Sequence, residues 1–307
     1  MRWDIALVYA LLRLLGVLPL RALHALGAGL GHTLWWRKHA RERVHVEVNL
    51  RFARPRLDDA ARARLTKEIL IETGKAATEL AAVWGRGAER ALQLVREVRG
   101  GELFDAALGS GRGVIVAAPH LGCWELLNYW LGARAPLAIL YAPPRYPQFE
   151  ALLLRARGDQ APQQVRADGA GVRALYKRLN AGGVVGILPD QQPKRGEGQF
   201  APFFGMEAHT MVLLPRMAQR TGATVLFAFA ERLPDGEGFR IHLRNAPQGI
   251  ADANLRAACT ALNLGVQECV ETAFAQYQWT YKRWAERPDP REHDPYWLAR
   301  NRKLRSE

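Results

Sequence analysis

His120 and Glu125 are the two residues whose types and spacing could do acid–base chemistry. They stand five apart in Pro119-His120-Leu121-Gly122-Cys123-Trp124-Glu125. An imidazole touched by a carboxylate keeps one ring nitrogen as a donor and leaves the other free to take a proton from a hydroxyl. Side chains on one helix face are three or four apart. The pair can therefore meet only if His120 lies in a turn that folds back over the start of a helix. The flanking residues supply that setting. Val114 to Ala118 is a short apolar run rich in β-branched residues, which predicts a buried strand. Pro119 to Cys123 reads as a turn, and Trp124 to Leu131 as a helix that Gly132 can end. His120 then sits at the carboxyl end of a strand, where open α/β sheets bind ligands. Glu125 falls in the first helical turn, where the helix dipole favours a negative charge.

A second strand end supplies further candidates. Val184 to Leu188 predicts another buried strand, ending in Pro189-Asp190-Gln191-Gln192. By the same logic Asp190 and Gln191 should face the cleft of His120. In the loop that follows, Lys194 and Arg195 precede the aromatics Phe200, Phe203 and Phe204. Cations beside an apolar rim suit an amphiphile with an anionic head; a surface loop stapled into the core by its aromatics is the competing reading. Leu137 to Tyr141 predicts a strand, leading into a Pro-rich loop that carries Arg145, and Phe149 to Arg157 predicts a helix. Gln164 to Arg166 reads as extended, Gly171 to Asn180 as a helix, and Thr210 to Thr221 as a helix started or kinked at Pro215. Thr224 to Arg232 and Phe239 to Arg244 predict a strand pair around Pro234 to Gly238. Asp252 is expected to cap a helix reaching about Gln276, and the chain after Trp284 reads as a tail. The fold class expected is α/β, a mixed central sheet flanked by helices.

The amino end differs in character. Ile5 to Leu20 is almost wholly apolar, interrupted by Arg13 and ended by Pro19, which is short for a clean membrane span. A second apolar stretch closes in Trp35-Trp36, directly followed by Arg37, Lys38, Arg41 and Arg43. Paired tryptophans beside a basic cluster have the composition of a membrane-interface anchor, here a helical hairpin lying in one leaflet. A helical hairpin buried in a soluble core is the alternative; the abrupt aromatic and basic border favours the membrane. Residues 1–43 are thus expected to anchor and 44–307 to form the α/β domain. Val44 to Trp84 reads as helical, broken at Pro55 and restarted by Asp58-Asp59.

The chain has 307 residues and a formal net charge of +13, which points to a polyanionic partner. Three cysteines without ligand spacing exclude a disulfide scaffold. The basic residues are spread along helices with no reader motif, which disfavours nucleic acid. His120 and Glu125 lack further residues at ligand spacing, which disfavours a metallohydrolase; no metal is expected.

Taken together, PHLGCWE (Pro119 to Glu125), LPDQ (Leu188 to Gln191), FAPFFG (Phe200 to Gly205), QWTYKRW (Gln278 to Trp284), the NLRF of Asn49 to Phe52 and the apolar amino end resemble the late acyltransferases of lipid A biosynthesis. The resemblance covers most of the chain. It implies a glycerolipid-acyltransferase-like fold. It also implies an enzyme without a cofactor, at the cytoplasmic face of an inner membrane, acting on a lipid A precursor with acyl carrier protein as acyl donor. His120 would be the general base and Glu125 would orient it, the acceptor hydroxyl attacking the thioester directly. Asp190 and Gln191 would shape the cleft. Cys123 stands where the family usually has asparagine and is not read as a nucleophile. The family often has arginine directly after the tyrosine of the second strand; here Ala142 follows Tyr141, and Arg145 is the expected substitute in binding phosphate or thioester oxygen. The same chemistry on a glycerolipid or ornithine lipid is the alternative.

Overall fold

The computed structural model describes residues 3–141 and 163–305. Arg145 and the helix expected at 149–157 lie outside the described residues. Seven strands form one sheet: β1 (Val95–Arg99), β2 (Val114–Ala117), β3 (Leu137–Tyr141), β4 (Gln163–Arg166), β5 (Val184–Ile187), β8 (Thr224–Arg232) and β9 (Phe239–Asn245), in the spatial order β1-β9-β8-β2-β5-β3-β4. Among the described residues of this sheet β8 and β9 pair antiparallel and the other neighbour pairs are parallel. The mostly parallel sheet accords with the mixed α/β class expected. β2 and β5 are buried at all positions, as near-continuous apolar strands must be when helices cover both faces. Ala117 pairs with Ile187 across them. The chain therefore leaves both strands at the same, carboxyl end of the sheet, and His120 and Asp190 follow those two exits.

A small antiparallel hairpin stands apart from this sheet, β6 (Gly198–Phe203) and β7 (Met206–Met211). Its two-residue turn is Phe204-Gly205, with φ of 49° and 78°. This corrects the helix expected over Thr210 to Thr221. Thr210 and Met211 belong to a strand, and the helix begins later, at Leu213. The run Met206–Met211 places His209 and Thr210 side by side and buries Ala208, His209 and Thr210 in a row, so it shows no strand period. The long C-terminal helix spans Leu255–Thr272 and is capped by Asn254, whose side chain accepts from Arg256 and Ala257 amides; Asp252 instead accepts from the amide of Asn254. The supposed tail is packed as well. Tyr296, in a last helix at Pro295–Arg305, is buried against Val44 and Val48.

The amino end forms two helices, α1 (Trp3–Leu15) and α2 (Leu20–Trp36), turned at Pro19. Both lie along α4 (Asp59–Arg86), whose N-cap Asp58 accepts from the Ala61 amide as expected. The contact is close because glycines meet: a Cβ on Gly74 would stand 2.0 Å from the Gly27 carbonyl oxygen. Leu20 and Leu23 join the same apolar cluster as β2, β8 and β9. The other side of the hairpin is apolar too, with Leu14 69 % and Val17 79 % exposed. Among the described residues no helix is long and apolar enough to cross a membrane.

Candidate active site

The turn after β2 is held from both sides. Cys123 donates its amide to Ala230 of β8 at 2.9 Å, Gly122 donates to Gln276 at 3.2 Å, and the His120 carbonyl accepts from the Gln278 amide at 3.0 Å. Gly122 has φ of 60°, and a Cβ there would come 1.9 Å from the Ala230 oxygen. Only glycine combines that backbone with that approach. The turn thus presents His120 as a partly exposed ring at the mouth between β2 and β5, its side chain 15 % accessible.

The carboxylate on this ring is that of Asp190. His120 Nδ1 donates to Asp190 Oδ1 at 2.8 Å, and the His120 amide donates to Asp190 Oδ2 at 2.9 Å. Asp190 is buried. Burial alone would raise its pKa, yet the charge of His120 and the hydrogen bonds from its ring and amide outweigh burial and hold the carboxyl below the usual range. With Nδ1–H committed to Asp190, Nε2 is the acceptor and the proton-taking atom. Gln191 Nε2 stands 3.3 Å from it and donates to Gln278 Oε1 at 3.0 Å. Trp124 meets the imidazole edge-on, ring centroids 5.4 Å apart.

Glu125 corrects an expectation. It is buried in the first turn of the helix Trp124–Gly132, but its carboxylate accepts from Trp84 Nε1 at 3.1 Å and does not brace the imidazole. The five-residue spacing turns Glu125 toward α4, whereas parallel pairing of β2 with β5 delivers Asp190 from 70 residues away. Phe203 is a second correction. It is 1 % exposed, packed on Trp284, Phe204 and Tyr277 in the core, so it is no rim residue. Alternation along β6 points it inward. Lys194 and Arg195 do lie exposed, in the turn before β6. Cys123 is buried, and desolvation pushes its thiol pKa well above the ordinary value, which keeps it from acting as a thiolate.

What the residue types alone concealed is the segment Gln276–Trp284. Besides Gln276 and Gln278, the Tyr281 hydroxyl accepts from the Gln192 amide at 2.9 Å, and Gln192 Nε2 donates to the Lys282 carbonyl at 2.7 Å. This stretch clamps both strand exits. Asn49 joins it to the helix Arg41–Ala53, donating to the Tyr281 carbonyl at 2.8 Å. Its signal in the sequence was a dense mix of aromatic and amide side chains far from any strand.

Residues 1–286 match the family described as bacterial lipid A biosynthesis acyltransferase. The chain belongs to this family. It is an acyltransferase. Similar proteins include the lipid A biosynthesis lauroyltransferase of Escherichia coli K12, 26 % identical over 291 residues, 94 % of this chain and 93 % of that one. The lipid A biosynthesis palmitoleoyltransferase of the same organism is 26 % identical over 245 residues, 78 % of each chain. A phosphatidylinositol mannoside acyltransferase of Mycobacterium tuberculosis (strain ATCC 25618 / H37Rv) is 28 % identical over 166 residues, 50 % of this chain and 49 % of that one. An imidazole held through Nδ1 by a carboxylate, with Nε2 facing the cleft, is chemically able to take a proton from a hydroxyl.

Proposed function

We propose that this acyltransferase adds a secondary fatty acyl chain to a lipid A precursor, taking the chain from the thioester of acyl carrier protein. The observation that carries the reading is the double grip of Asp190 on His120, which leaves Nε2 as base at the open edge of the sheet. The acceptor hydroxyl displaces Gln191 from Nε2 and gives its proton to the ring. The alkoxide attacks the thioester carbon, the thiolate of the carrier leaves, and the proton passes from the imidazolium to that thiolate. Asp190 stabilises the imidazolium between the two transfers. Glu125 lies buried in the helix that follows the same turn. Lys194, Arg195 and Arg145 are proposed to meet phosphate or thioester oxygens, and the +13 surplus suits both an acidic carrier and a phosphorylated glycolipid.

Location at the cytoplasmic face of the inner membrane follows from the same reading. The exposed apolar side of the α1–α2 hairpin, bordered by Trp36 at 75 % exposure and by Arg37 and Lys38, suits insertion into one leaflet. A second reading keeps the chemistry and changes the acceptor, to the sugar of a mannosylated phosphatidylinositol, a glycerolipid or an ornithine lipid; the mannoside acyltransferase relative favours weighing the first of these. The test is transfer from acyl-loaded carrier protein to a panel of these acceptors, with His120→Ala as control. Transfer to the lipid A precursor, lost by at least about a hundredfold in His120→Ala, is expected; transfer that survives the substitution would sink the mechanism, and transfer only to another acceptor would favour the second reading.

A further inference from the structure

Three residues close a ring at the proton-taking nitrogen of His120. The Gln278 amide donates to the His120 carbonyl at 3.0 Å, so Gln278 is fixed to the turn that carries the imidazole. Its side-chain oxygen Oε1 accepts from Gln191 Nε2 at 3.0 Å, and Gln191 Nε2 stands 3.3 Å from His120 Nε2. Gln191 directly follows Asp190, which holds Nδ1 of the same ring. On its other side Gln192 donates its amide to the Tyr281 hydroxyl and its side-chain nitrogen to the Lys282 carbonyl. The backbone is therefore tied down before and after Gln191.

The donor pattern decides how this carboxamide is turned. With Nδ1–H given to Asp190, His120 Nε2 is an acceptor, and only an N–H can face it. The Gln191 amide nitrogen carries two protons. One goes to Gln278 Oε1 and the other faces Nε2. A hydroxyl that gives its proton to Nε2 brings its oxygen to within about 3 Å of that nitrogen. The second N–H of Gln191 already occupies that neighbourhood. Both glutamines are half-buried, neither sealed in the core.

We propose that Gln278 is a positioning residue of the active site, holding the Gln191 carboxamide so that one N–H meets the oxygen of the acceptor hydroxyl at His120 Nε2. The inference rests on the acyl-transfer reading given above and names the group that orients the nucleophile. The incoming hydroxyl takes the place of the N–H on Nε2, donates its proton there, and accepts from the N–H it has displaced. Fixed by two hydrogen bonds, it keeps a lone pair aimed at the thioester carbon. The amide retains both of its protons, so the proton path of the reaction is unchanged. Without Gln278 the carboxamide turns freely, and its oxygen competes with Nε2 for the hydroxyl proton.

The test measures acyl transfer by the purified full chain at about pH 8, above the ordinary imidazole range, with thermal unfolding as a fold control. Gln278→Leu removes the oxygen that holds Gln191. It is expected to lower kcat about tenfold, with KM for the acyl carrier within about twofold. Gln191→Ala should give a like loss. The double variant should lose no more than either alone, because both substitutions remove one and the same interaction. Gln278→Glu keeps an accepting oxygen in place and should return kcat to within about threefold of wild type. A folded Gln278→Leu variant with kcat within about twofold of wild type overturns the proposal. So do losses that multiply in the double variant, or a Gln278→Glu variant as slow as Gln278→Leu. Where Gln278→Leu does not fold, a kcat within about twofold of wild type in Gln191→Ala overturns it. Absence of His120-dependent transfer in the wild type is a different failure, that of the acyl-transfer reading itself.

Discussion

The amide and the ring Nδ1 of His120 donate to the two oxygens of a single carboxylate, Asp190, at 2.9 and 2.8 Å. One contact fixes the backbone of the turn and the other fixes the ring upon it. An imidazole held at two points has little orientational freedom left to lose, and its tautomer is set in advance.

Asp190→Asn should therefore separate aim from charge. The amide oxygen can still accept one bond, but the imidazolium loses its counter-charge. We expect kcat to fall by about a hundredfold or more, with the acceptor KM little changed. Steady-state kinetics on the purified protein decide it; a fall of less than about twofold would mean that the carboxylate is structural.

Glu125→Gln keeps the size of the side chain and its ability to accept from Trp84 Nε1. Only charge is removed. A kcat about tenfold lower with an unchanged thermal midpoint is the expected outcome if that charge acts on the reaction. Trp84→Phe, which loosens the aim of Glu125 but leaves its charge, should cost less. The reverse ranking would assign Glu125 to the fold.

Acid should weaken the folded protein in two steps. His45, His209 and His242 are buried, and burial lowers the pKa of each from 6.5. Below that value the unfolded chain binds protons that the folded one refuses, so their contribution is whole above about pH 6.5 and falls away as pH drops toward their folded values. Asp190 and Glu79 have lowered carboxyl values, Glu79 because the Arg232 charge and its bonds overcome burial. Their contribution is present above the unfolded values of 3.8 and 4.5 and is lost as pH falls through the lower folded ones. Thermal midpoints recorded from about pH 8 down to about pH 4 should fall first below 6.5; a midpoint constant to pH 5 would contradict this.

The outward face of the amino-terminal hairpin can be changed without touching its packed face. Leu7, Leu14 and Val17 are 63 %, 69 % and 79 % exposed. Replacing all three by Gln should leave the thermal midpoint in detergent nearly unchanged, since surface changes typically stay within about 0.5 kcal/mol. Co-sedimentation with vesicles of bacterial phospholipid should weaken by about tenfold or more, because each buried CH₂ adds about 0.8 kcal/mol to insertion. Undiminished sedimentation would place the membrane contact elsewhere.

Local pattern carried much of this fold. β3 and β8 fall where β-branched and apolar runs predict them, and Gly122 with Pro119 marks the turn that presents His120. The hairpin β6–β7 did not declare itself. Its turn needs positive φ at Phe204, a residue that seldom adopts it, and the strain is held by packing on Phe203 and Trp279. The segment after Gln276 was legible only as a motif, because its work is done by backbone carbonyls and amide side chains on strands far away in sequence.

The amino-acid sequence by itself determined the turn that carries His120, the helix after it and the two strand exits, since these depend on residue type and short-range period. Which carboxylate meets the imidazole was decided by the tertiary structure. Parallel pairing of β2 with β5 is a contact between residues 70 apart, and no local period encodes it. The same pairing set Asp190 on the ring, while Glu125 accepts from the indole of Trp84. Burial likewise set the Arg283 guanidinium on the His209 carbonyl, Thr210 and Asn263, contacts that exist only once the chain has closed around it.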